Sequence, residues 1–190
     1  MQAVEPRVHR WTMEEYHQMT DLGWFQDQRV ELIDGEIMEM PAPRNPHVVS
    51  MSVTEDALRA AFGAGFWVRT QSPLNVGPAA EPQPDVAVVT GKARDYTDHP
   101  TTAVLVVEIS DATLSYDRNH KGGLYARAGI TDYWIVNLIN RRLEVYRNPV
   151  ADAAQPFGFG YSARTTHDPG DAVAPLAAPT ARVAVADLLP

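Results

Sequence analysis

The chain has 190 residues, 45% of them hydrophobic, which suffices for a sizeable core in one compact unit. It contains no cysteine, which excludes disulfides, thiolate metal sites and cysteine nucleophiles. A formal net charge of −8 argues against non-specific coating with nucleic acid, which rests on neutralising phosphates, yet leaves room for a local basic groove.

No apolar run reaches the roughly 18 residues needed to cross a bilayer. The N-terminal MQAVEPRVHRW lacks the apolar core of a secretory signal, so a cytoplasmic protein is expected. Of the 16 lysines and arginines only Lys92 and Lys121 are lysines. Chemistry that needs an ammonium must draw on these two or on the N-terminus.

Thr12 with Glu15 forms a capping box, and Trp11 with Tyr16 can staple it, which predicts a helix from about Met13 to Met19. Asp34-Gly35 between alternating segments then predicts a hairpin with a type I′ turn. In that register Glu31, Ile33, Glu36 and Met38 share one face, and Val30, Leu32 and Ile37 the other. PAPRNP reads as a loop, and 47–62 as a helix with Met51, Leu58 and Phe62 at helical spacing. FWVRTQSPL, PDVAVV and AVLVVEIS read as strands. A helical pattern runs from Ser115 to Ala128 with Gly129 as its stop. DYWIVNLINRRLEVYRNP reads as two antiparallel strands turning around 138–141. Beyond Pro149 the chain is rich in Ala, Pro and Gly and reads as loop, with ARVAVADLLP as a last strand. The expectation is one α/β domain over 1–190: a helix and hairpin at 11–40, a core at 47–148, and an extension at 149–190. A central mixed sheet flanked by helices accommodates this order.

Two residues do not fit their strands. Alternation sets Glu108 on one face with Val104 and Val106, and Asp85 on one face with Ala87 and Val89. If the two strands are neighbours, the carboxylates lie side by side, where they repel and raise one pKa unless a cation intervenes. Hard oxygen donors at a strand end suit Mg²⁺ or Mn²⁺. Structural alternatives stay open: Asp85 as a turn residue after proline, Glu108 paired with a buried arginine, and Lys121 in a surface pair with Asp117 four residues earlier. Glu31 is an odd neighbour for Ile33 and Met38, though it also fits an edge-strand charge; Glu55 is a weaker candidate for the same acidic role. His47, at a helix entrance, reads as a capping or positioning residue. The histidines show no HExxH spacing, and Ser110, Asp111 and His120 lack the GxSxG elbow of a serine hydrolase.

PD at 84–85, Glu108 and a following lysine resemble the PD-(D/E)XK nuclease motif. Together with VELIDGEI, PH before a helix, QPDVAVV, VVEISDAT, DRNHKGGLYARAGITDYWIV and VADLL, the chain from Thr12 to Leu189 resembles the Uma-two family of restriction-endonuclease-like proteins. The resemblance implies an αβββαβ restriction-endonuclease-like core. Asp85 and Glu108 would be metal ligands, the Ile109 carbonyl a third, and Glu31 would complete the acidic cluster. Ser110 stands where the wider superfamily has its lysine, and Lys121 on the next helix takes that part. Catalysis would then rest on Glu31, Asp85, Glu108 and Lys121, with Mg²⁺ or Mn²⁺ as cofactor and DNA as substrate. Two-fold symmetry is common for such enzymes, so a homodimer is expected, and apolar strands such as DYWIV could sit at its interface. Arg118, Arg127, Arg141 and Arg142 are candidates for phosphate contacts, although solvated arginines explain most of them. A catalytically decayed binding module on the same fold is the alternative, and hydrolysis of another phosphate ester a third reading.

Overall fold

The computed structural model describes residues 5–190. Helix α1 (Met13–Asp21) starts at Thr12, whose hydroxyl accepts from the Glu15 N–H while the Glu15 carboxylate accepts from the Thr12 N–H. Strands β1 (Val30–Ile33) and β2 (Glu36–Glu39) form the hairpin, pairing Glu31 with Met38 and Ile33 with Glu36. Asp34 and Gly35 both take positive φ, 51° and 80°, as a type I′ turn demands. Helix α2 (Asn45–Phe62) begins inside the segment predicted as loop. Pro46 lies in its first turn, where no intrahelical N–H is needed, so this proline opens the helix.

The central sheet is built from β3 (Phe66–Thr70), β4 (Val86–Thr90), β5 (Leu105–Ser110), β6 (Asp132–Asn137), β7 (Arg142–Ala151) and β8 (Phe159–His167), in that spatial order. Only β5 and β6 are parallel. Their crossover is one helical segment: α3 (Leu114–Tyr116), a π turn (Asp117–Lys121) and α4 (Gly122–Arg127). This is the αβββαβ core. Leu58 and Phe62 of α2 cover the sheet face carrying Val86, Val107 and Trp134. The crossover helix puts Tyr125 on the opposite face, among Ala87, Val106, Tyr133 and Ile135.

Three expectations need correction. The apolar DYWIV segment is buried along its whole length in β6, between β5 and β7, so it offers no outer face to a partner. The segment after Pro149 is not loop: β7 runs on to Ala151 and β8 pairs with it from Ala151↔Phe159 to Leu143↔His167. FGYSARTTH holds enough aromatic and β-branched residues for a strand, masked by its Ala/Pro/Gly surroundings. ARVAVADLLP contributes only the two-residue β10 (Val183–Ala184), paired with β9 (Ala172–Val173). A 3₁₀ turn (Val185–Leu188) follows, and its Leu188 carbonyl accepts from Ser50 Oγ of α2 at 2.6 Å. Among the described residues no helix is long and apolar enough to cross a membrane.

Glu144 of β7 is 1% exposed and accepts from Arg118, Arg164, Asn137 and the Tyr146 hydroxyl. Burial alone would push its pKa up, but these donors outweigh it and hold the carboxyl at about 2. A depressed folded pKa contributes stability above the unfolded value of about 4.5, lost as pH falls through about 2. Glu144→Gln should therefore cost on the order of 3 kcal/mol near neutral pH. In urea unfolding measured across pH, its difference from the native protein should shrink below about pH 4.

Candidate functional site

The site begins where the β4–β5 ladder stops. Val86 lies opposite Val107, so one more step sets Asp85 against Glu108. The two side chains take over from the backbone pairing at this end. The Asp85 N–H donates to Glu108 Oε2 at 3.3 Å, and the Ile109 N–H donates to Asp85 Oδ2 at 2.8 Å. His47, in the first turn of α2, places Nε2 2.9 Å from Asp85 Oδ1. The Tyr125 hydroxyl of α4 donates to Glu108 Oε1 at 2.7 Å. Asp85 and Glu108 are thus neighbours, and each has a fixed orientation.

Lys121 closes the cluster from the crossover helix. Its side chain is 2% exposed. Nζ sits 3.1 Å from Glu108 Oε1 and donates to Glu31 Oε1 of the hairpin at 3.2 Å. Glu31 Oε2 lies 3.1 Å from the same ammonium but has no hydrogen-bonding partner. The i,i+4 surface pair between Asp117 and Lys121 does not form. Asp117 is buried and accepts from Ser110 Oγ at 2.6 Å and Thr113 Oγ1 at 2.7 Å. A π turn replaces the α-helix over 117–121, and such turns recur at functional positions. Asp117 is the site carboxylate that sequence reasoning missed. Its signal was its place one turn before Lys121, just as Tyr125 lies one turn after.

Four buried carboxylates, Glu31, Asp85, Glu108 and Asp117, thus surround one buried ammonium. Burial pushes Glu31 upward and Glu108 well upward; Lys121 pulls both down, and the neighbouring carboxylates add to the rise. Burial also pushes Asp117 up, against Lys121, Ser110 and Thr113. Asp85 goes the other way: burial raises it, but His47, the Ile109 N–H and Lys121 together hold it below the usual carboxylate range. Burial would lower Lys121, yet the four carboxylates keep it well above the ordinary lysine value and therefore charged. The cluster holds more carboxylates than one ammonium can pair, and their mutual repulsion adds to the rise of Glu31 and Glu108. That surplus of buried oxygen donors fits a hard divalent cation. No three Asp, Glu or His side chains among the described residues are grouped to hold a metal as they stand, and Lys121 bridges Glu31 and Glu108.

Other candidates lie elsewhere. Glu55 pairs with Arg59 along α2. Arg118 serves Glu144, Arg127 serves Asp34, Arg141 reaches the Pro190 carbonyl, and Arg142 stands 4.0 Å from Asp168. Lys92 only begins a 3₁₀ turn, and the N-terminal amine lies outside the described residues. Ser110 serves Asp117 and His120 stacks on Tyr116, so Ser110, Asp111 and His120 do not form a serine triad.

A six-stranded mixed sheet with helices on both faces, whose opened β4–β5 end gathers acidic residues around a lysine, is a restriction-endonuclease-like fold. The chain belongs to the Uma2 family, described as "Putative restriction endonuclease", whose model matches residues 13–186. Among solved structures it is similar to one from Anabaena variabilis described as a "putative nuclease belonging to DUF820". That likeness has a TM-score of 0.68 and 15% identity, and covers 94% of this chain and 97% of the other. No curated protein matches the chain.

Removing the ammonium should expose the carboxylate surplus. Lys121→Met should lower the unfolding free energy by about 3 kcal/mol or more at neutral pH, as for other broken buried ion pairs. Adding Glu31→Gln to it should restore a large part. Urea unfolding of the two variants checks both, and an undiminished Lys121→Met would mean that these charges are not coupled.

Proposed function

We propose that the protein is a Mg²⁺- or Mn²⁺-dependent endonuclease that hydrolyses DNA phosphodiesters. The observation that carries this reading is the buried Lys121 ammonium between Glu31 and Glu108, with Asp85 alongside, opening on a cavity of about 200 Å³. Asp85 and Glu108, with the Ile109 carbonyl, would hold the cation, and Glu31 would complete the acidic set. Such an ion, when bound, lowers the pKa of water and offsets charge on a scissile phosphate.

The chain's own residues supply the rest. Lys121 stays protonated among its carboxylates, so it acts by stabilising negative charge on the reacting phosphate rather than by taking a proton. His47 orients one oxygen of Asp85, and Tyr125 one oxygen of Glu108, so each carboxylate is held in a defined orientation. The exposed Arg29 and Arg44 stand at the cavity mouth, where guanidinium groups suit flanking phosphates. We extend the proposal to a homodimer, since two-fold symmetry is the commonest assembly and matches a duplex; light scattering tests that part alone.

One observation favours a second reading, a binding module with a decayed site: no three donor side chains among the described residues are grouped to hold a metal. Single-turnover cleavage of plasmid DNA with Mn²⁺ separates the two. The nuclease reading expects cleavage that Lys121→Ala reduces by about 100-fold or more. DNA binding with no cleavage under any divalent metal would instead support the binding module.

A further inference from the structure

A second cavity, of about 640 Å³, lies on the other side of the same helical segment. Its wall is aromatic. Tyr116 and His120 are nearly parallel, with centroids 5.2 Å apart and planes 13° apart, and Phe157 meets His120 edge-on at 6.4 Å. Ile33 and Met38 of the hairpin line it as well. Phe157 is held with φ at 60°, a left-handed conformation unusual for a bulky residue. The Arg127 guanidinium stacks 4.9 Å from its ring while pairing with Asp34 at 2.7 Å. At the rim Arg10 donates to the Asp34 carbonyl at 3.1 Å and pairs with Glu36 at 2.8 Å. The cavity thus offers a flat π-surface bordered by both donors and acceptors. That suits a planar heterocycle with a polar edge better than an aliphatic ligand.

The cavity shares no lining residue with the carboxylate site, yet the same elements build both. Ile33 follows Glu31 on the same face of β1, about 7 Å along the strand. Tyr116 and His120 immediately precede Asp117 and Lys121. The Tyr116 ring lines the cavity, while its hydroxyl is buried without a hydrogen-bonding partner, close enough to feel the charges of Lys121 and Glu31.

We propose that this cavity receives one unpaired base of the DNA, lying against the His120 and Phe157 rings that line it and flanking the phosphate held at the carboxylate cluster. This inference rests on the DNA-cleaving reading above. The base would be a frayed, flipped or single-stranded nucleotide, because a base inside an intact stack cannot present its face to His120. His120 is exposed, so it can be replaced without disturbing the core.

The test uses a short single strand carrying 2-aminopurine within it and a dye at its 5′ end, mixed with the protein without divalent metal so that nothing is cleaved. Dye anisotropy reports binding of the strand, and 2-aminopurine quenching reports stacking. The native protein should quench the base. His120→Ala and Phe157→Ala should each abolish the quenching and weaken binding about tenfold, and His120→Trp should restore both. Binding with no quenching, or with quenching unchanged in both alanine variants, overturns the base pocket and leaves the DNA reading standing. No binding of the strand, together with no cleavage of duplex DNA, overturns both.

Discussion

Everything around the site follows from one electrostatic constraint, a fully buried ammonium among four buried carboxylates. A desolvated charge is tolerated only when partners are held close to it, and here they arrive from four separate parts of the chain. The hairpin brings Glu31, the opened ends of β4 and β5 bring Asp85 and Glu108, and the π turn brings Asp117 together with Lys121. Docking of the hairpin against the crossover helix, through Ile33 and Leu124, is therefore coupled to the charge cluster. The fold does not merely carry the site; it is tied together at that point.

Such a cluster is a poor way to gain stability, since apolar residues of similar size would do at least as well. Keeping it makes physical sense where the carboxylate surplus has a use. The side chains around it are arranged to hold geometry: the Ile109 N–H and His47 on Asp85, Tyr125 on Glu108, Ser110 and Thr113 on Asp117. Ser110 stands where a lysine is expected in the wider nuclease superfamily. Its hydroxyl fixes the carboxylate one helical turn before Lys121, so the strand position still bears on the lysine indirectly.

Much of this was legible in the sequence, for definite reasons. The Thr12–Glu15 box and the Asp34-Gly35 turn are local chemistry and formed as read. Asp85 and Glu108 stood out because period-two alternation set each among small apolar residues, and antiparallel pairing then brought them together. The partners of Lys121 were not readable from spacing, because a π turn breaks the α-helical repeat on which the Asp117–Lys121 pairing rested. The lysine count made Lys121 one of two candidate ammonium groups, and the family resemblance singled it out for the site. Likewise β8 lay hidden in an Ala/Pro/Gly-rich background, and the buried position of β6 depends on β5 and β7 flanking it. The aromatic cavity needs Phe157 and the hairpin brought to one place from distant parts of the chain, which no local pattern announces.

The most direct measurement is a calorimetric titration of Mn²⁺ into the native protein and into Glu108→Gln, with circular dichroism showing that both are folded. Saturable binding to the native protein that is lost in the variant is the predicted result, since it requires the surplus carboxylates to accept a cation at this site. Absence of binding in the native protein, with a short DNA duplex present as well as without it, would contradict a metal-dependent centre here.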